Sequence, residues 1–334
     1  MSQNKSIIYV GLDVAKATFV VHWQNRCHKF TNDAAGQAGL LKLLTKPKGA
    51  KGAKGAREAR EIKTKEPEGI VHVILEATGG YEQPIVAALH EAQLLVSVAM
   101  PNRVRAYAKA LGRLAKTDPI DAALLSAFGE ATQPLPTQPR SAREKELADL
   151  VRQRRQLVAI QTQLSNQAEH SRPPSVQKRH AQLQKELRKL IKECLAEILK
   201  LQAEDVDLHR RAQRLQEAHG VGPIVASVLL ADMPELGSLS DEEAAALAGV
   251  APYNCDSGPW QGSRRISGGR GSVRQALYMA AMTACRNDSI LQRFYERLIS
   301  KGKKKLVALT AVMRKLIVLL NRLLKHPEFK LQAA

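Results

Sequence analysis

Four acidic residues stand where the chain changes character. Asp13 closes the run Ser6–Asp13 (SIIYVGLD), and Glu76 lies near the end of the apolar run Ile70–Ala77 (IVHVILEA). Asp118 and Asp121 open KTDPIDAALL three residues apart. That spacing puts both carboxylates on one face of a helix's first turn. Carboxylates at strand ends of an open α/β sheet face one shared crevice, so the four are candidates to converge. Converging carboxylates repel unless cations compensate, and Mg2+, a hard ion with oxygen ligands, is the natural partner. Two such ions about 3.5–4 Å apart would clamp the attacking and leaving oxygens of a phosphodiester. Singly, Asp13 is also explained as a turn residue and Asp118 as an N-cap before Pro119. Glu76 resists that explanation, because a carboxylate ending an apolar strand is costly to bury unless paired or metal-bound.

A second constellation lies in Ala248–Ala281 (AGVAPYNCDSGPWQGSRRISGGRGSVRQALYMAA). Its glycines permit close backbone approach, and Arg264, Arg265, Arg270 and Arg274 offer forked donors suited to phosphate oxygens. Ser257, Ser263, Ser267 and Ser272 are all candidate nucleophiles, and residue chemistry does not choose among them. A basic phosphate-binding loop with the serines as turn residues is the alternative. His219–Ala231 (HGVGPIVASVLLA) adds Gly220 and Gly222 at a turn of helix-hairpin-helix type, which aims backbone N–H groups at a phosphate; a plain tight turn fits equally well. The run Lys301–Lys305 (KGKKK) supplies Lys303, Lys304 and Lys305 as further nucleic-acid contacts.

These residues need elements to position them. Ser6–Asp13, Thr18–Trp23 and His28–Thr31 are predicted as a three-stranded antiparallel meander, and Asn32–Leu44 as a helix. Pro47–Glu68, rich in Lys, Gly and Ala, is predicted as a mobile basic loop. Strand Ile70–Ala77, helix Tyr81–Gln93, strand Leu94–Met100 and a helix opened by Pro101 follow. The order β-β-β-α-β-α-β-α-α is that of an α/β ribonuclease-H-like sheet, occupying residues 1–132. Gln133–Arg140 is a proline-rich hinge. Glu144–His170 and Val176–Leu201 predict a long antiparallel helical coiled-coil hairpin over 141–203, each arm about 40 Å long. Its seam is drawn by Leu183, Leu187, Leu190, Ile191, Cys194, Ile198 and Leu201, and pairs either within the hairpin or with another subunit. Residues 204–334 read as a mostly α C-terminal domain.

Composition narrows the class. Among 334 residues, 51 Lys+Arg against 32 Asp+Glu give a net charge of +19, which favours a polyanionic partner; a basic surface with no such partner is the alternative. Aromatic residues make up only 4%, which argues against recognition of many stacked bases. No apolar run is long enough to span a membrane and no signal peptide is seen, so nucleic acid is the expected partner. Cys27, Cys194, Cys255 and Cys285 are far apart, which fits a reducing cytoplasm.

In combination the motifs resemble a known family. GLDVAK (11–16), LEATGGYEQP (75–84), AKTDPIDAALLS (115–126), GVGPIVASVLLAD, LAGVAPYNCDSG and RRISGGRGSVRQALYMAA are similar, in order, to the DEDD-type insertion-sequence transposases. The resemblance covers nearly the whole chain. It implies a RuvC-like domain whose tetrad falls on Asp13, Glu76, Asp118 and Asp121, joined through a coiled coil to a transposase domain whose nucleophile falls on Ser257. It further implies Mg2+ and a 5′-phosphoserine intermediate. An element-encoded bridge RNA would pair with donor and target double-stranded DNA. Homodimers would assemble into homotetramers, with each site drawing acids and serine from different protomers, in a bacterial cytoplasm at the nucleoid. Pro47–Glu68 departs from the family as an insertion. Two other activities fit the residues: a Mg2+-dependent RuvC-like endonuclease of branched DNA with no covalent intermediate, and a non-enzymatic RNA-binding scaffold.

Overall fold

The computed structural model describes residues 6–45, 69–113, 115, 117–287 and 289–331. The basic stretch Pro47–Glu68 lies outside the described residues. The chain divides into two compact units, 1–139 and 140–334.

In the first unit, β1 (Ile7–Val14), β2 (Thr18–Trp23) and β3 (Arg26–Thr31) form the antiparallel meander. Next come α1 (Ala34–Leu44), β4 (Ile70–Glu76), α2 (Gln83–Glu91), β5 (Leu95–Ala99), α3 (Pro101–Ala110) and α4 (Asp118–Thr132). The strand order is β3-β2-β1-β4-β5, with β4 parallel to both β1 and β5. A mixed sheet in this order, with helices on both faces, is ribonuclease-H-like.

The alternation of each strand sorts its side chains between two cores. Val10, Leu12, Val73 and Leu75 pack with Leu40 of α1 and with Ile85 and Leu89 of α2. Ile74 and Tyr9 point the other way, into a core with Val104 of α3 and Leu125 and Phe128 of α4. Glycine sets how closely α4 lies on β1. A Cβ at Gly11 would fall 1.9 Å from the Ala122 carbonyl oxygen, so no other residue fits there. One turn along α4, the Ser126 hydroxyl donates to the Tyr9 carbonyl at 2.7 Å.

The proline-rich segment expected as a hinge is instead tied down. Thr137 N–H donates to the Val96 carbonyl at 2.7 Å, its hydroxyl accepts from Val98 N–H, and the Ser97 hydroxyl donates to the Leu135 carbonyl. The extended backbone that proline favours suits it to the open edge of β5.

The second unit starts with two long helices, α5 (Ala142–Glu169) and α6 (Pro174–Glu204), packed on each other. It continues with α7 (Val206–Gln216), α8 (Pro223–Asp232), α9 (Asp241–Leu247), the two-residue strands β6 (Pro252–Tyr253), β7 (Asp256–Ser257), β8 (Trp260–Gln261) and β9 (Arg265–Ile266), then α10 (Gly271–Asn287), α11 (Ser289–Ser300) and α12 (Lys305–Lys325). Ser141 and Glu144 form a capping box that starts α5. The helix pair does not stand apart as its own domain: Leu147, Val151, Cys194, Ile198 and Leu201 share one core with α7, α8, α10 and α12. Further from that core the seam turns polar, with Gln184 donating to the Ser165 hydroxyl. Leu183 and Leu190, expected in the seam, are 54% and 39% exposed. No helix among the described residues is long and apolar enough to cross a membrane.

Candidate active site

The register of the sheet places the first two acids. Parallel pairing matches Leu12 with Leu75, so the next step along both strands brings Asp13 beside Glu76. Neighbouring strands lie about 4.8 Å apart. Asp13 follows Tyr9 and Gly11 on the α4-facing side of β1, and Glu76 follows Ile74 on the same side of β4. Asp118 and Asp121 occupy the first turn of α4, and Asp121 directly precedes Ala122, the residue whose carbonyl lies against Gly11. Three of the acids are half-buried and Asp118 is exposed. The N-cap position of α4 belongs to Thr117, so capping does not account for Asp118.

Backbone geometry thus brings four hard oxygen donors toward one end of one sheet face, and that donor set fits a divalent cation such as Mg2+. The side chains are not drawn into a cage. Among the described residues, no three His, Cys, Asp or Glu side chains are grouped closely enough to hold a metal ion.

Two residues not anticipated from the sequence hold the loops behind these acids. Glu82 is 4% exposed, and its Oε2 accepts from Thr78 N–H at 3.1 Å, the Thr78 hydroxyl at 2.9 Å and Gly80 N–H at 2.9 Å. Burial pushes this carboxyl up, but the donors outweigh it and hold the group below the usual carboxylate range. Gly79 and Gly80, both at positive φ, wrap the loop around the carboxylate, which is why α2 starts at Gln83 rather than Tyr81. Asn32 donates to the carbonyls of Ala15 at 3.0 Å and Tyr81 at 3.2 Å, and so joins the loop after Asp13 to the loop after Glu76. The signal for Glu82 was a lone acid between a diglycine and a proline-opened helix.

In the second unit, Ser257 lies exposed on a hairpin whose strands β7 and β8 are joined by Gly258-Pro259. Ser263 and Ser267 are exposed as well, while Ser272 sits half-buried in the first turn of α10. The base of this segment is a backbone clamp. A Cβ at Gly249 would fall 2.5 Å from the Gly268 carbonyl oxygen, and one at Gly269 would fall 2.2 Å from the Gly249 nitrogen. Arg274 closes the clamp by donating to the Gly268 carbonyl at 2.8 Å. Arg270 makes a forked pair with Glu235, at 2.6 and 2.7 Å, and donates to the Asp232 carbonyl. Burial raises the Glu235 carboxyl, and the Arg270 guanidinium more than reverses that.

Arg270 and Arg274, expected as phosphate ligands, therefore serve the protein's own frame, because forked donors bind carboxylates and carbonyls as readily as phosphates. Arg264 and Arg265 remain exposed on the hairpin side. Gly220 also turns inward: a Cβ there would fall 2.3 Å from the Ala280 carbonyl, so this glycine packs the α7–α8 turn onto α10. Gly222 is exposed at the start of α8. Lys303, Lys304 and Lys305 are exposed at the start of α12.

A family model described as a transposase, of the DEDD kind, matches residues 10–171, which include all four acids. A second, described as "Transposase IS116/IS110/IS902 family", matches residues 212–296, which include Ser257. Two relatives, each named "Pilin gene-inverting protein", come from Moraxella bovis and Moraxella lacunata. Each is 31% identical, over 93% of this chain and 94% of the relative.

Proposed function

The chain belongs to the IS116/IS110/IS902 family of transposases, DNA-recombining enzymes, and from that premise we propose that it exchanges DNA strands through a covalent link to Ser257. The observation that carries this reading is the exposed Ser257 hairpin, anchored at its base and flanked by Arg264 and Arg265. Ser257 Oγ attacks phosphorus and gives up its proton. An Oγ–P bond forms, the bond to the 3′-oxygen breaks, and that oxygen leaves as a hydroxyl by taking up a proton. The product is a 5′-phosphoserine and a free 3′-hydroxyl. Rejoining runs the same exchange backwards with the 3′-hydroxyl of another strand, so the phosphodiester energy is conserved. Arg264 and Arg265 stabilise charge on the phosphoryl oxygens. Asp13, Glu76, Asp118 and Asp121 of a different protomer would hold Mg2+, which when bound would supply Lewis-acid chemistry to the reaction.

Donor and target DNA are the substrates, guided by an element-encoded bridge RNA. A charge of +19 with 4% aromatic residues supports this, since such a surface grips backbones and leaves base reading to pairing. Dimers pair into tetramers, with the α5–α6 pair acting as a coiled coil between protomers; the exposed Ile160, Leu183 and Leu190 favour that role. The relatives' name denotes a gene inversion, and strand exchange is the chemistry an inversion takes. The test is a denaturing gel of labelled donor and target DNA with the RNA and Mg2+. Ser257→Ala is expected to abolish both the protein–DNA adduct and the exchanged product. Mg2+-dependent cutting with free ends and no adduct would establish the hydrolytic nuclease instead, and an adduct persisting in Ser257→Ala would remove Ser257 from the role.

A further inference from the structure

We propose that Trp260 is a base-stacking residue, whose indole receives the DNA base next to the phosphate that Ser257 attacks. The proposal rests on the reading of Ser257 given above.

The register supplies the first argument. Ser257 and Trp260 are directly paired across β7 and β8. Directly opposed residues of an antiparallel pair share one face, with Cβ atoms about 4.5–5.5 Å apart. The hydroxyl and the indole therefore stand side by side. Gly258, at φ +56, with Pro259 after it, makes the two-residue turn that fixes this spacing.

The indole is also held in place. A Cβ at Gly262 would fall 2.7 and 2.8 Å from Cζ3 and Cη2 of the Trp260 ring, so the ring lies across the bare backbone of Gly262. That backbone is tied down in turn, since Gly262 N–H donates to Asp256 Oδ1 at 3.1 Å. Yet Trp260 is 61% exposed, whereas the chain's other tryptophan, Trp23, is 2% exposed in the sheet core. A fixed aromatic plane open to solvent, in a chain with so few aromatic residues, calls for a planar partner.

DNA supplies one. Attack by Ser257 Oγ brings the scissile phosphate over the hydroxyl, and the base of that nucleotide becomes the nearest planar group to the indole. Strand exchange opens the duplex there, so the base loses its stacked neighbour, and the indole replaces that stack without reading sequence. Exposed Arg264 and Arg265 grip the backbone while the base rests on the ring.

Tryptophan emission tests this on the full-length protein. A single-stranded DNA oligonucleotide is titrated into wild type and into Trp23→Phe, where Trp260 is the sole tryptophan. The matched abasic oligonucleotide and an RNA of the same sequence serve as the other arms. Stacking predicts that the DNA quenches the solvent-exposed emission and that the abasic oligonucleotide does not. Trp260→Ala is expected to weaken DNA binding about 5- to 100-fold, as the loss of one stacked base implies. Trp260→Phe should recover most of the binding and Trp260→Leu little. No quenching, quenching by RNA alone, or a Leu variant as good as Phe would overturn the proposal. The Ser257-dependent adduct is scored in parallel, so a failed stack with the adduct intact is distinguishable from a failed nucleophile assignment.

Discussion

The acidic end of the sheet and the serine hairpin are held in opposite ways. Asp13 and Glu76 stand on adjacent strands inside a five-stranded sheet, with their spacing set by ladder register and by α4 lying against Gly11. Ser257 stands on a two-residue strand in solvent, and its hairpin is clamped where it leaves the helical body, at Gly249, Gly268 and Gly269. The difference suits the two tasks proposed above. Donors meant to share a cation gain from backbone positions fixed by a strand ladder and a packed helix. A nucleophile meant to take up one strand end and pass it to another gains from a stiff base and an open tip.

The largest expected effects strike the two sites separately. Asp13→Asn and Ser257→Ala should each reduce strand exchange by on the order of 10²–10³-fold or more. A gel then shows whether DNA binding survives in both; loss of binding in Ser257→Ala would break the picture of the serine as a purely chemical group. Next come the glycine contacts. Gly269→Ala meets both a positive φ and the Gly249 backbone, and should cost about 2–4 kcal/mol of the second unit's stability, read from urea unfolding. Gly11→Ala should push α4 off β1, so cleavage falls together with stability. A Gly11→Ala protein with full cleavage would show that this contact does not position the acids.

Glu82→Gln should destabilise the first unit by about 1.5–3 kcal/mol at neutral pH, because a buried charged acceptor with three donors is weakened. Its pH dependence has a definite sign. The folded carboxyl lies below its ordinary value, so its stabilisation is complete above the unfolded value of about 4.3 and is lost as pH falls through the folded one. The gap between wild type and Glu82→Gln, followed by thermal unfolding, should therefore close in acid and stay open at neutral pH.

The smallest effect separates the two kinds of arginine. Arg265→Ala should lower the salt slope of DNA binding by about one with little change in stability. Arg270→Ala should leave the slope unchanged and lower the unfolding midpoint, since its partner is Glu235. Equal slopes for the two variants would undo that distinction.

Much of the first unit was legible because strands and helices write their periods into the chain. The β-branched run SIIYVGLD and the apolar run IVHVILE gave β1 and β4 within a residue or so, with Asp13 and Glu76 near their ends and the DxxD pair opening α4. Glycine and arginine were legible only as kinds of residue. Gly220, Gly249 and Gly269 signal close approach, but their own sequence does not say whether a phosphate or the protein's own backbone does the approaching. Arg270 and Arg274 likewise carry donors that a carboxylate, a carbonyl or a phosphate can accept. Leu183 and Leu190 have the spacing of a seam, yet which stripe of α6 meets α5 depends on how the pair is rotated.

By itself the sequence determined the elements, the positions of the acids at their ends, and a chain suited to polyanions. The tertiary structure decided which of the charged and glycine residues face inward. The reason is physical: hydrophobic periodicity is local and survives in the sequence, whereas a polar group's partner is chosen by whatever the fold brings within about 3 Å of it.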